Sequence, residues 1–97
     1  TTEEDTASAK GLKAGGDIKI SNATITTDTS DDSIHSNSNV TIESGTFNLK
    51  SGDDGIHADT STVINNGNIV IEKSYEGIEG SNVTINGGTI ELTLIFI

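Results

Sequence analysis

The chain has no cysteine, proline, methionine or tryptophan, and its five cationic side chains are all lysine. Each gap removes a class of answer. Without cysteine there are no disulfides and no thiolate metal sites, although the compartment stays open. Without arginine, and with 5 lysines against 15 acidic residues for a net charge of −10, the chain lacks the cations that neutralise phosphates. That argues against nucleic acid as a partner. It fits a cation binder, or simply a soluble acidic surface. Only 31% of the 97 residues are hydrophobic and 3% aromatic, which is too little for a thick globular core. No signal peptide or spanning helix is read, and the opening TTEEDTASAK reads as a mature or trimmed start. Richness in Asn, Thr, Ser, Gly and Asp would by itself signal disorder, but the aliphatic residues are too regularly spaced for that.

What is present is a repeat. Residues 31–36 read DDSIHS, residues 53–58 read DDGIHA and residues 75–80 read YEGIEG, with Lys10-Gly11-Leu12-Lys13-Ala14 as a worn first copy. The apolar residue inside each copy falls at Leu12, Ile34, Ile56 and Ile78, 22 residues apart each time. A fixed period of this size marks a stacked-repeat architecture. Two inward pairs with a spacing of two, the period of a strand, follow each anchor. The first is Ile18/Ile20, Val40/Ile42, Thr62/Ile64 and Val83/Ile85; the second is Ile25/Thr27, Phe47/Leu49, Ile69/Ile71 and Ile90/Leu92. In the last repeat both pairs arrive one position early, so one residue is missing from the preceding turn. Turn residues separate the pairs: Ser21-Asn22-Ala23, Glu43-Ser44-Gly45, Asn65-Asn66-Gly67 and Asn86-Gly87-Gly88.

Three short strands per 22-residue coil predict an all-β chain, a right-handed parallel β-helix of about four rungs over residues 10–92. Its hand follows from the rule for parallel crossovers. Rungs stack about 4.8 Å apart, with small Ala14, Ser36, Ala58 and Gly80 lining the inside two positions after each anchor. Residues 1–9 read as a flexible lead-in. Residues 93–97 read as an apolar tail, and the run Leu92–Ile97 as a cap or an association segment, since an uncharged β-prone run at an open edge invites pairing.

Vertical registry brings scattered carboxylates together. Asp32, Asp54 and Glu76 form one column, and Asp31, Asp53 and Tyr75 the next. Carboxylates about 4.8 Å apart repel by roughly 1 kcal/mol in water and about 3–4 kcal/mol at an effective dielectric of 20. Such a row is stable if a cation neutralises it, and Ca²⁺, which takes six to eight oxygen ligands, suits it. The expected ions bridge Asp32 to Asp54 and Asp54 to Glu76, with Asp31 and Asp53 assisting. The competing reading is a solvated acidic ridge with no ion. His35 and His57 stack between Lys13 and Glu79 and are expected to face solvent, as an exposed ladder or, on weaker grounds, as two ligands of a transition metal. Tyr75 either stacks on a sugar face or caps its column. The column Asp28, Lys50, Glu72 alternates in charge and needs no function beyond cross-rung stabilisation.

The DDSIHS and DDGIHA corners, the EGIEG copy and the VTI…GGTIEL rung resemble the polysaccharide-lyase-like carbohydrate-binding-domain family of Gram-positive, largely clostridial, surface proteins. The similarity covers about residues 10–92. It implies a pectate-lyase-like parallel β-helix with calcium at Asp31, Asp32, Asp53, Asp54 and Glu76. It also implies non-catalytic binding of cellulose or acidic polysaccharide at the outside of a bacterial cell. Independently of the resemblance, His35, His57, Tyr75 and Glu79, stacked beside the corners, are candidates for ligand binding. Family members carry many more rungs, so the chain reads as a fragment or one element of an assembly. Lyase activity is the weaker reading: β-elimination wants a base, commonly arginine or lysine in pectate lyases, and near the corners there are only Lys10 and Lys13. A structural solenoid that self-associates through its open ends and Leu92–Ile97 is the third.

Overall fold

A computed structural model describes residues 11–93. Among them every regular element is a strand, and no helix is long and apolar enough to cross a membrane. Twelve strands follow in order: β1 (Leu12–Ala14), β2 (Ile18–Ile20), β3 (Ala23–Thr29), β4 (Ile34–Ser36), β5 (Asn39–Ile42), β6 (Gly45–Ser51), β7 (Asp54–Ala58), β8 (Ser61–Ile64), β9 (Asn68–Lys73), β10 (Glu76–Glu79), β11 (Asn82–Ile85) and β12 (Thr89–Leu92). Every third strand is a neighbour, giving three four-stranded parallel sheets ordered β1-β4-β7-β10, β2-β5-β8-β11 and β3-β6-β9-β12. The chain is therefore a β-solenoid of about four rungs, as the period requires. The lead-in over residues 1–9 and the last residues of the apolar tail, 94–97, lie outside the described residues.

The anchors stand above one another as Leu12↔Ile34, Ile34↔Ile56 and Ile56↔Ile78. The aliphatic columns and Phe47 fill the interior, with Ile20, Ile25, Ile34, Val40, Ile42, Leu49, Ile56, Ile64, Ile69 and Ile71 fully buried. Burying one such side chain contributes about 1.5–3 kcal/mol, so a narrow coil is stabilised without a thick core. Several polar residues at inward positions find partners. Thr62 Oγ1 donates to Glu79 O at 3.2 Å, Ser36 Oγ to Gly16 O at 2.7 Å, and Thr27 Oγ1 to Ser33 Oγ at 2.7 Å.

The turn between the second and third sheets takes a left-handed residue in every rung: Asn22 (φ 54°), Gly45 (135°), Gly67 (130°) and Gly88 (100°). Glycine or asparagine tolerates that conformation, and three of the four turns carry glycine. The missing residue of the last rung is where the sequence places it. Glu79 pairs with His57, 22 back, but Asn82 pairs with Ser61, 21 back. One register differs from expectation. A bulge after Leu49 pairs Lys50 with Lys73 rather than Glu72, and the following turn, shorter by one residue, restores the spacing at Tyr75 N–H to Asp53 O. Lys50 Nζ still reaches Glu72 Oε1 at 3.7 Å, so the alternating charge pair survives the slip.

Core positions of the last rung are incompletely covered. Val83, Ile85 and Leu92 are 43%, 52% and 45% exposed, while Ile78 and Ile90 are half-buried. At the other end Leu12 is half-buried.

Candidate functional site

The first sheet and the turns that lead into it carry the chemistry. Lys13, His35, His57 and Glu79 stack in register on its outer face. Asp31 and Asp32 lie in the turn before β4, while Asp53-Asp54 and Tyr75-Glu76 straddle the starts of β7 and β10.

The two acids of each pair go different ways. Asp31 and Asp53 are exposed, whereas Asp32 and Asp54 are buried, at 5% and 3% exposure. Strict strand alternation would set Asp54 and His57, three residues apart, on opposite faces. The backbone bends at the corner, β7 buries Asp54, Gly55 and Ile56 in succession, and the carboxylate turns under the imidazole. Asp32 does the same beneath His35. The histidines are consequently half-buried, not the solvent-facing ladder that the alternation predicts. Their rings lie parallel, with centroids 4.6 Å apart and 2° between planes.

The two imidazoles have different surroundings. His35 Nδ1–H donates to Asp32 Oδ2 at 2.7 Å, and its Nε2 accepts from the Asn37 amide at 3.4 Å. Both oxygens of Asp32 are engaged, because its Oδ1 accepts the Asp54 N–H at 2.9 Å, and each keeps a further lone pair. His57 meets carboxylates on both ring nitrogens: Asp54 Oδ2 at 3.0 Å and Glu79 Oε1 at 2.8 Å from Nδ1, and Asp59 Oδ1 at 2.9 Å from Nε2. Burial works against charge on His57, but hydrogen bonds to Asp54, Asp59 and Glu79 outweigh it and raise its pKa to about 9. Burial, reinforced by Glu79, pushes Asp54 up to about 7. Glu79 is held below its ordinary value by hydrogen bonds from Asp54 and His57, and Asp59 by those from His57 and Asn37. Asp54 Oδ1 is buried with no hydrogen-bond partner among the described residues.

Among the described residues three groups gather ligand atoms within 4.8 Å of one another: Asp31–Asp32–Asp53, Asp32–His35–His57 and Asp54–His57–Glu79. The first is made of oxygens alone and is open to solvent through Asp31 and Asp53. Lys13 Nζ sits 3.6 Å from Asp31 across exposed surface, where an ion pair contributes little. Tyr75, 66% exposed, stands one rung above Asp53, whose carbonyl accepts its N–H. Glu76 pairs in register with Asp54 and is exposed, and it belongs to none of the three groups among the described residues.

The columns set Asp32 with Asp54 and Glu76, and Asp31 with Asp53; the structure gathers Asp31, Asp32 and Asp53 from the two, and the columns do not point to Asp59 and Asn37. Their signal is the strand period: each lies two residues after a histidine, on the same face, and Asn37 Nδ2 donates to Asp59 Oδ2 at 3.3 Å from one rung below.

A family model described as "Carbohydrate-binding domain-containing protein" matches residues 1–55. That is more than half of the chain, which therefore belongs to this carbohydrate-binding domain family. The matched stretch includes the acidic corner Asp31, Asp32, Asp53 and Asp54 and ends before His57, Tyr75, Glu76 and Glu79. No curated protein and no solved structure matches the chain.

Proposed function

We propose that the chain is a non-catalytic binding module for acidic, uronate-bearing polysaccharide that holds the polymer through Ca²⁺ at the corner edge. The observation that carries this reading is the vertical alignment of an all-oxygen carboxylate group, Asp31–Asp32–Asp53, with the exposed ring of Tyr75 above it. Two oxygens on opposite sides of a calcium ion stand about 4.8 Å apart, since each bond is 2.3–2.6 Å, and the trio falls within that span. Asp31, Asp53 and the remaining capacity of Asp32 would hold the ion, with Asp54 and Glu76 next in the stack. A bound Ca²⁺ supplies the positive charge that lets a protein of net charge −10 take up an anionic polymer, bridging protein and uronate carboxylates. Tyr75 offers an apolar face to the sugar ring. Polymers of this kind are met outside the cell, so an extracellular or cell-surface location belongs to the same reading.

Binding to polygalacturonate, followed by calorimetry and affinity electrophoresis, tests it. Retention with Ca²⁺, loss in EDTA and loss in Asp31→Asn and Asp53→Asn support the reading. Equal retention in EDTA overturns the calcium part, and chelator-insensitive binding to cellulose would assign a neutral glucan instead. Release of unsaturated uronide, read by ultraviolet absorbance, would assign lyase activity.

A second reading rests on the incompletely covered core positions Val83, Ile85 and Leu92 at the edge of the last rung: a solenoid segment that self-associates end to end. Sedimentation that depends on concentration in the intact chain, and not after Val83→Lys and Ile85→Lys, supports it; a monomer at all concentrations refutes it.

A further inference from the structure

We propose a second and chemically different metal site, in which His57 Nδ1, the Asp54 carboxylate and the Glu79 carboxylate bind a first-row divalent transition metal such as Zn²⁺.

Three independent observations meet there. Nδ1 lies 3.0 Å from Asp54 Oδ2 and 2.8 Å from Glu79 Oε1, yet a ring nitrogen carries only one proton and cannot serve both acceptors well. The three carboxylates of Asp54, Glu79 and Asp59 around one imidazole leave an excess of negative charge that a divalent ion removes. Asp54, at 3% exposure, keeps Oδ1 buried without any partner among the described residues. Native structures rarely leave a buried carboxylate oxygen unmatched, and a bound ion is one of the ordinary explanations.

The geometry fits the ion class. Bonds of about 2.0–2.2 Å to imidazole nitrogen and carboxylate oxygen put neighbouring ligands roughly 3.0 Å apart in octahedral and roughly 3.4 Å apart in tetrahedral coordination. The observed separations already match the first and must open by about half an ångström for the second. Asp59 Oδ1, 2.9 Å from Nε2, completes the arrangement. Its carboxylate takes the proton on the far nitrogen, fixes the tautomer that frees Nδ1 for metal, and orients the ring. Imidazole with carboxylates selects transition ions, whereas Ca²⁺ wants oxygen alone. The lower group cannot share the same nitrogen: Asp32 Oδ2 lies 4.0 Å from His57 Nδ1, and 2.7 Å from its own partner His35.

The site does not rest on the calcium reading, and the test keeps the two apart. Zn²⁺ is titrated calorimetrically into the full chain in a large excess of Ca²⁺, with the imidazole nitrogens followed by ¹⁵N NMR. Expected are one Zn²⁺ per chain, a shift of the His57 Nδ1 resonance, and a proton retained on Nε2. Affinity falls at least tenfold in His57→Gln and in Glu79→Gln and is kept in Asp31→Asn and Asp53→Asn. Glu79 is substantially exposed, so its variant keeps the test open should His57→Gln fail to fold. No Zn²⁺ uptake, uptake unchanged in Glu79→Gln, or a shift confined to His35 overturns the proposal. Zn²⁺ uptake lost in Asp31→Asn would also overturn it, by placing the ion at the corner.

Discussion

Gly55 sits between Asp54 and the anchor Ile56, and Ile71 of its own coil together with Gly77 in the rung above leaves no room for a side chain. A Cβ built there would stand 2.7 Å from Ile71 Cδ1, 2.9 Å from Ile71 Cγ2 and 2.8 Å from the carbonyl oxygen of Gly77. Carbon beside such atoms settles at about 3.3–3.6 Å, so the corner of the rung above must rise by roughly half an ångström and Ile71 must leave its position. Overpacking of this kind costs about 1–3 kcal/mol. Gly55→Ala is therefore expected to lower the urea midpoint by on the order of 1 M, taking a slope of roughly 1–3 kcal/mol per molar for a small domain. Gly15→Ala is the matched control, since its Cβ meets nothing within 4 Å. There the loss of freedom in the unfolded chain dominates, and the midpoint should rise by an amount equivalent to about 0.4–1 kcal/mol. The two changes add the same methyl group and have opposite signs. A Gly55→Ala midpoint equal to or above that of Gly15→Ala would refute the inter-rung contact at this corner.

Three more expectations follow from the same geometry. Ile56→Ala, fully buried between Ile34 and Ile78, should cost about 2–5 kcal/mol, and Ile78→Ala, half-buried in the last rung, no more than about half as much; equal losses in denaturant titration would speak against a solenoid open at that edge. Tyr75→Ala should leave stability within about 0.5 kcal/mol of the original, as befits an exposed side chain, while polygalacturonate binding weakens by roughly threefold to tenfold; unchanged affinity by calorimetry removes Tyr75 from the sugar surface. In chelator, the melting temperature should fall as pH rises from roughly 5 to 9. His57, faced by Asp54, Glu79 and Asp59, with Asp32 at 4.0 Å and the His35 ring stacked on it, has its pKa raised from 6.5 to about 9, so its contribution is full below 6.5 and lost through 9. Asp54, raised from 3.8 to about 7, adds a loss over the lower part of the window. Asp59 and Glu79 are lowered and act oppositely, but only at acid pH, where their contribution is lost as pH falls. A melting temperature that stays flat or rises between pH 5 and 9 would contradict the carboxylate cage around His57.

The fold was legible because a solenoid repeats one decision. Leu12, Ile34, Ile56 and Ile78 each report the same inward position, and the one-residue deficit before Asn82 could be read from the aliphatic pairs alone. The bulge at Lys50–Lys73 could not, because Lys50, Glu72 and Lys73 all face solvent and leave no hydrophobic mark of the slip. The candidate site was half legible. Counting by 22 stacks Asp32 with Asp54 and Glu76, and Asp31 with Asp53, since vertical position needs only counting. The inward turn of Asp32 and Asp54 leaves no such mark, because a two-residue period fails where the chain rounds a corner. The difference between His35 and His57 lies in Asn37 against Asp59 and in Glu79 overhead, which counting does not weigh.

That last contrast bears on how a coiled array acquires chemistry. Four identical floors would have produced a colonnade of like groups with no preferred storey. Here imidazole, carboxylate and a trimmed corner meet between the third and fourth floors, so single changes far apart in the chain compose one locus. The locus should also be portable: Asn37→Asp with His57→Glu would rebuild its surroundings one storey down, around His35.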